Sequence, residues 1–284
     1  MSPRSVNTQM FALHRPPPGC IELAGRCYRL ARVFKHDFFA ATCLYQLDDP
    51  SPSGDVLPRI VVKFCRRQPF CGLPLEWLGK FLCGHEEAIY EALSGLTGIP
   101  RWAGRLSDTA CAIEYIDAKP LDHFPSAPAG FFDRLRELFH AVHARGVAYC
   151  DANKRSNILI GPGGCPFLID YQLAVRRRDE LPWPLGAVLR RLVAYLAAKD
   201  IYHLYKHKRR LCPQEMTEEE LELSRRRSLL HRLHRRLTKP YRALRRRFLA
   251  GQYDSGRLVS PTENLEDHHQ PEKATWRKEG TGPQ

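Results

Sequence analysis

Segments that alternate apolar and polar side chains crowd into the first third of the chain, and segments with a helical repeat fill most of the rest. That asymmetry constrains the fold more than any other feature. Tyr28 to Val33, Ala41 to Leu47 and Arg59 to Phe64 each read as a strand, because residues two apart share one face of an extended chain. The Asp-, Pro-, Ser- and Gly-rich run from Asp48 to Gly54 turns the chain between the second and third. A three-stranded meander is therefore expected over residues 21–64. Leu75 to Leu93 follows with Leu78, Leu82, Ile89 and Leu93 near helical spacing, and Gly98-Ile99-Pro100 stops it. Ala110 to Ile116 reads as another strand. Phe131, Leu135, Leu138, Phe139 and Val142 fall at offsets 0, 4, 7, 8 and 11, one apolar face of a helix over 131–145. Ile158-Leu159-Ile160 and Pro166-Phe167-Leu168-Ile169 are short buried strands joined by the Gly-Pro-Gly-Gly turn at 161–164. The remainder to residue 250 reads as helical and basic. This order predicts an α+β chain, a small sheet-rich lobe followed by a larger helical lobe. Residues 1–20 read as a loose, Pro-rich arm and 251–284 as a polar, disordered tail.

Composition narrows the partners. A hydrophobic fraction of 43% over 284 residues excludes a wholly disordered chain. The net charge of +13 points to anionic partners, whether nucleic acid, anionic lipid or a phosphorylated substrate. Ten cysteines are present and none forms a Cys-x-x-Cys pair, so the usual zinc spacing is missing and reduced, mostly buried thiols are expected. Met1 to Pro18 lacks the apolar core of a secretory signal. The best apolar run, Leu185 to Ala198, is cut by Arg190 and Arg191, short of the roughly 18 residues that cross a bilayer. The expected location is cytoplasmic.

One polar loop carries the chemistry: Tyr149-Cys150-Asp151-Ala152-Asn153-Lys154-Arg155-Ser156-Asn157, followed by Ile158-Leu159-Ile160. Nineteen residues after Asp151 comes Leu168-Ile169-Asp170-Tyr171-Gln172. A carboxylate and a carboxamide on one loop, with a second carboxylate ending the next hairpin, can converge on one place. Phosphoryl transfer needs that set. One Asp orients the attacking hydroxyl and accepts its proton, while an Asn and another Asp hold magnesium, a hard cation that takes oxygen ligands. Lys63, in Ile60-Val61-Val62-Lys63, can neutralise phosphate oxygens, and Glu86 or Glu87 can fix that Lys by ion pairing. Glu86 is preferred because it shares a helix face with Tyr90, whereas Glu87 points with the charged Glu91. Singly, each residue has a plainer reading: Lys63 as a snorkelling strand lysine, the glutamates as a solvated face, Asp151 and Asn157 as loop caps. Their shared order and spacing carry the argument.

These motifs resemble the protein-kinase-like superfamily over roughly residues 21–210. Val61-Val62-Lys63 is similar to its third-strand Val-Ala-Ile-Lys motif. Ile113-Glu114-Tyr115-Ile116 resembles the hinge, and Phe139 to Val147 the helix entering the catalytic loop. The resemblance implies a bilobal fold, with residues 21–117 as the N-lobe and hinge and 118–250 as a helical C-lobe. It implies Asp151 as catalytic Asp, Lys63 and Glu86 as the phosphate clamp, Asn157 and Asp170 as magnesium ligands, and Glu114 and Ile116 lining the ATP site. Asp200 is expected to hydrogen-bond the catalytic-loop backbone.

Three departures redirect the substrate. Phe34-Lys35-His36-Asp37-Phe38-Phe39 has no glycine where a phosphate-covering loop belongs. Asp170-Tyr171-Gln172 replaces Asp-Phe-Gly, and Asp151 and Asn157 are six apart, one more than in ordinary protein kinases. Asp-x-x-Lys-Arg-x-Asn, Ile-Asp-Tyr-Gln and Asp200 to Arg210 more closely resemble the lipopolysaccharide-core kinases, with RIO-type kinases as cousins. That resemblance implies a sugar hydroxyl of a membrane glycolipid as acceptor. Only Leu173 to Trp183 separates Asp170 from the next helix, too little for a peptide platform, so a serine/threonine protein kinase is the runner-up. A catalytically silent nucleotide-binding scaffold is the third expectation, favoured by the altered Gly-rich loop and opposed by the retention of Lys63, Asp151, Asn157 and Asp170.

Residues 205–247 hold fifteen Lys and Arg against five Glu. Leu229, Leu233 and Leu237, continued by Leu244 and Phe248, put an apolar stripe on this basic segment. It reads either as a helix pair packed with a solvated basic face or as a contact with an anionic membrane on the inner face of the cell. Nucleic acid is not expected, since no nucleic-acid motif is present and aromatic residues for base stacking are sparse.

Overall fold

The computed structural model describes residues 8–49, 56–178, 180–225 and 260–262. The chain is mixed α+β and divides into two compact units, one comprising residues up to 83 with 103–114 and 260–262, the other 84–102 with 115–225. Residues 84–102, placed in the first lobe by the sequence reading, group with the second unit.

The first unit is built on a sheet ordered β1-β2-β3-β4-β6-β5. Its strands are β1 (Cys20–Leu23), β2 (Arg26–His36), β3 (Ala40–Leu47), β4 (Arg59–Cys65), β5 (Trp102–Ser107) and β6 (Ala110–Glu114). The pairs β1–β2, β2–β3, β3–β4 and β4–β6 are antiparallel. The expected meander is β2, β3 and β4; β1 and β5 extend it. Register separates the two faces. Cys43 pairs with Val62, which pairs with Ala112, and these side chains join Tyr28, Val33, Tyr45 and Ile60 in the core. One residue on, Thr42 pairs with Lys63 and Lys63 with Cys111, so Lys63 stands on the face opposite that core.

Helix α1 (Glu76–Ala92) starts against the end of β4. A Cβ at Gly79 would stand 2.1 Å from the Arg66 carbonyl oxygen, so only glycine permits this approach. Cys83, one turn on, lies within hydrogen-bond reach of Cys111, Cys65 and Arg105, and those bonds pull its thiol pKa down. All ten cysteines are free; five are buried, while Cys20, Cys27, Cys71 and Cys165 are exposed.

Residues 8–20, expected to be part of a loose arm, are instead tied down. The reason is Arg66, which is fully buried and must satisfy its guanidinium from backbone oxygens. Its Nη1 donates to Phe11 and Phe38 carbonyls at 3.2 and 2.9 Å, and its Nη2 to Gln9 and Pro69 carbonyls at 2.7 and 3.2 Å. The Leu13 N–H donates to His36 Nε2 at 3.1 Å. That leaves His36 Nδ1 to donate to Thr262 Oγ1, also at 3.1 Å, so Thr262 is buried within the expected tail.

The second unit is helical with short sheets. β7 (Lys119–Pro120), β9 (Ile158–Ile160) and β10 (Pro166–Leu168) form one sheet, and β8 (Val147–Ala148) pairs with β11 (Val175–Arg176). Helix α2 (Phe131–Ala144) buries Phe131, Leu135, Leu138, Phe139 and Val142, the row read from the sequence. Helix α3 (Leu185–Leu211) runs 27 residues, and α4 (Glu218–Arg225) follows. A capping box starts α4: the Glu220 N–H donates to Thr217 Oγ1 at 3.2 Å, and the Thr217 N–H to Glu220 Oε2 at 3.1 Å. The buried Lys208 ammonium donates to both Glu220 oxygens at 3.0 and 2.8 Å, and Arg209 donates to Ser224 Oγ at 2.9 Å. These two cations of the 205–247 stretch therefore hold α4 to α3. Residues 226–259, with the Leu229-to-Phe248 stripe, lie outside the described residues. Among the described residues, no helix is long and apolar enough to cross a membrane.

Candidate active site

The polar loop begins where α2 ends. Gly146, at φ +73°, takes the left-handed conformation that turns the chain from α2 into β8. β8 delivers Tyr149, and residues 149–157 then run as a loop with little regular structure to satisfy their backbone. Helix α3 satisfies it instead. Asp200, 0% exposed, accepts from the Tyr149 N–H at 2.8 Å and from His143 Nε2 at 3.1 Å through one oxygen. Its other oxygen accepts from the Cys150 N–H at 2.9 Å. These bonds fit the role read for Asp200 from the sequence. They hold Cys150 at φ +67°, a left-handed conformation that costs a non-glycine residue about 1–3 kcal/mol and persists only where its surroundings enforce it. One turn and more along α3, His207 Nε2 donates to the Ala152 carbonyl at 2.9 Å, and Lys206 donates to Asn153 Oδ1 at 2.8 Å. Burial lowers the His207 pKa to about 4, with Lys206, Arg155 and Arg210 adding to the effect, so the ring is neutral at pH 7.

That clamp leaves the buried Asp151 carboxylate to side-chain partners. Asn157 Nδ2 donates to Asp151 Oδ2 at 2.8 Å, and Lys154 Nζ stands 3.1 Å from the same oxygen. With its amide nitrogen committed to Asp151, Asn157 has its oxygen left as an acceptor, 3.4 Å from the Ser156 hydroxyl.

Asp170 comes to the same place through the backbone. The Ile169 N–H donates to the Asn157 carbonyl at 3.1 Å, and the Tyr149 hydroxyl donates to the Ile169 carbonyl. Asp170 itself sits at φ +64°. The Tyr149 pKa is pushed well up, first by burial and then by Tyr171, Asp170 and Asp151, so both carboxylates lie within electrostatic reach of one phenol. Next along the chain, Tyr171 buries its ring against Tyr90 at 5.2 Å and Tyr149 at 5.1 Å, both edge to face.

The second unit thus brings together Asp151, Asn157 and Asp170. Glu86 lies on the buried side of α1, 2% exposed, whereas Glu87 is half-buried. Lys63 is half-buried in the first unit, on β4. Glu114 ends β6, and the division between the two units falls between Glu114 and Tyr115, within the expected hinge. Sequence reasoning missed Lys154, Tyr149, His143 and His207. The signal for His207 was available: it follows Asp200 by seven residues, two turns on one helix face.

Among the described residues, no group of three or more His, Cys, Asp or Glu is placed to hold a metal. The expected magnesium pair is of another kind, one carboxamide and one carboxylate, which would share the ion with phosphate oxygens. The committed amide nitrogen of Asn157 fits that role, because only its oxygen is left to face a cation. No protein-family model matches the chain, and no curated protein matches it.

Proposed function

We propose that the protein is a magnesium- and ATP-dependent phosphotransferase acting on a hydroxyl, most suitably a sugar of a lipopolysaccharide-type membrane glycolipid. The observation that carries this reading is the Asp151 carboxylate, buried, hydrogen-bonded by Asn157 and ion-paired with Lys154, on a loop that α3 holds from behind. In the proposed reaction Asp151 accepts the proton of the acceptor hydroxyl as that oxygen bonds to the γ-phosphorus and the bond to ADP breaks. Asn157 and Asp170 would hold magnesium, which when bound neutralises charge on the phosphates. Lys63 would clamp phosphate oxygens and Glu86 would pair with it, and the backbone at Glu114 and Ile116 would receive the adenine. Lys154 can follow the proton balance: it faces Asp151 now and the transferred phosphoryl group once Asp151 is protonated.

Charge favours an acceptor that itself bears anionic groups. Arg155, Lys206 and Arg210 all lie near enough to His207 to disfavour its protonation, and Lys154 is beside Asp151. These cations surround the loop from which the acceptor hydroxyl would be activated. Phosphates or carboxylates on the acceptor would meet them, as on sugars near the lipid anchor of an acidic glycolipid.

One observation favours a second reading, a nucleotide-binding scaffold without turnover. In the turn between β2 and β3, the Phe39 and Ala40 N–H groups donate to Asp37 Oδ1 at 2.8 and 2.9 Å. The amides that would cradle phosphates in a Gly-rich loop are thus taken by a carboxylate. A labelled γ-phosphate assay against crude lipopolysaccharide, total protein and small sugars, run beside Mg-ATP calorimetry, separates the readings. Label in the lipopolysaccharide pool is the expected result; label in protein alone supports the protein kinase. Nucleotide binding with no label in any pool supports the scaffold, and no nucleotide binding overturns both.

A further inference from the structure

Helix α3 anchors the loop with its C-terminal half and leaves a large face of its N-terminal half uncovered. Leu185 and Val188 are each 61% exposed, Leu192 44% and Tyr195 42%, and Trp183, just before the helix, is 85% exposed. Steps of three, four and three residues place the four helical side chains within an arc of about 80° at 100° per residue. Its buried row, including Val193, Asp200, Leu204 and Leu211, lies on a different side. Exposed apolar side chains scattered singly are ordinary, but four large ones on one helix face, with an exposed Trp183 two residues before the first, mark a surface that meets something.

The exposed charges on α3 itself have one sign. Arg191 is exposed at the edge of the row, and Lys199 continues the row with its Nζ 5.3 Å from the Tyr195 ring centre and 5.6 Å from that of Tyr202. The only carboxylate of α3 is Asp200, fully buried on the other side. Shortly before the helix, Arg176, Arg177 and Arg178 are also exposed, against one exposed carboxylate, Glu180. A protein partner that buried Leu and Val would sit in a groove or against a second helix, with acids available for pairing. Here the row lies along a single convex helix. Trp and Tyr sit at its ends, Leu and Val lie between them, and long cations stand beside or among them. Amphipathic aromatics, apolar side chains and snorkelling cations are the set that a lipid headgroup boundary stabilises.

We propose that the face formed by residues 183–199 lies on an anionic membrane. Trp183, Leu185, Val188, Leu192 and Tyr195 enter the boundary between headgroups and acyl chains, and Arg191 and Lys199 meet lipid phosphates. This inference stands apart from the proposed phosphotransfer, because binding is measured without turnover.

The test is co-sedimentation of the full chain with phosphatidylcholine vesicles, with and without phosphatidylglycerol, across a salt series. The chain should bind the anionic vesicles, more weakly as salt rises, and bind neutral ones poorly. Leu185→Glu/Leu192→Glu should lower the affinity about tenfold or more, since it removes apolar insertion and adds like charge to the lipid. Val188→Ser/Leu192→Ser serves as the second variant should the first unfold, and an unchanged thermal midpoint verifies either one. The series is repeated in a chain carrying Arg245→Glu, Arg246→Glu and Arg247→Glu, which isolates any contribution of the basic segment beyond residue 225. Trp183→Phe should abolish most of the blue shift in tryptophan emission on binding. The proposal is overturned by undiminished binding of both stripe variants, by equal binding to both vesicle types, or by no binding at low salt. Light scattering that shows a wild-type dimer turned monomeric by the stripe variants would overturn it too, by assigning the face to a second copy.

Discussion

Two loops in this protein are each held by one buried charged side chain, and the two charges are opposite. In the first unit, Arg66 gathers four backbone carbonyls around the Asp37–Ala40 turn. In the second, Asp200 gathers two backbone N–H groups and a histidine beneath the Tyr149–Asn157 loop. The outcome differs. At the Arg66 turn, Asp37 also takes the Phe39 and Ala40 amides, so those two donors are not left for an anion. At the Asp200 loop, the backbone is satisfied from below, and the side chains of Asp151 and Asn157 meet each other instead. A buried ion can therefore close a loop off or leave its side chains available, depending on which backbone groups it satisfies.

Turnover should show the contrast most strongly. Asp151→Ala is expected to lower phosphotransfer by about 10²–10⁴-fold, the usual range for a general base, while Mg-ATP affinity stays near wild type. Asp170→Ala should weaken magnesium-dependent nucleotide binding itself. Calorimetry distinguishes them, and the assignment fails if Asp151→Ala abolishes binding while Asp170→Ala changes nothing.

Stability comes next. Asp200→Ala removes the acceptor of two backbone N–H groups and of His143, and should cost about 3–5 kcal/mol, as breaking a buried charged network does. Arg66→Met should cost a comparable amount, read as a shift in the urea midpoint with unchanged slope. The two should differ in function: Asp200→Ala should also lose turnover where it still folds, because Cys150 and Asp151 would relax. Equal loss of turnover per unit of stability from both variants would erase the distinction between the loops.

These residues show how far the sequence reaches. The α2 row, the strands β2 to β4 and the spacing of Asp151, Asn157 and Asp170 were legible, because each is written in periodicity or local order. β7, β8 and β11 are two residues long, too short for any period to register. Arg66 was invisible because its acceptors come from residues 9, 11, 38 and 69, brought together only by the fold. Lys208 read as part of a basic face because its partner Glu220 lies across a helix turn-around, although Thr217-x-x-Glu220 is a capping signature in plain view.

A pH titration sharpens the Asp200 side further. His207 has its pKa lowered by burial to about 4, against about 6.5 in the unfolded chain. The unfolded state thus binds the proton more readily. This contribution is intact above pH 6.5 and fades as pH falls towards 4, by roughly 3 kcal/mol. His207→Gln keeps a donor for the Ala152 carbonyl and should flatten that part of the profile. An unchanged slope between pH 6.5 and 4 would rule out His207 as its source.

The smallest effect concerns the proposed pairing of Lys63 with Glu86. Residues of one ion pair are non-additive, so if the two pair as proposed, Lys63→Met/Glu86→Gln should lose little more turnover than Lys63→Met alone. Penalties that multiply would break the pairing, and repeating the cycle with Glu87 tests the neighbour.

Helix α3 carries both the loop anchors and the exposed row, and this has a geometric consequence. Leu192 and Asp200 are eight residues apart, about 12 Å along the axis, and they lie on different sides of a rod about 10–12 Å across. With the 183–199 face resting on a bilayer, the catalytic loop would ride at a set altitude of roughly one helix diameter above the headgroups. A rigid rod of this kind would then work as a depth gauge. It would admit hydroxyls on the sugars nearest the lipid and leave those at the far end of a long glycan out of range.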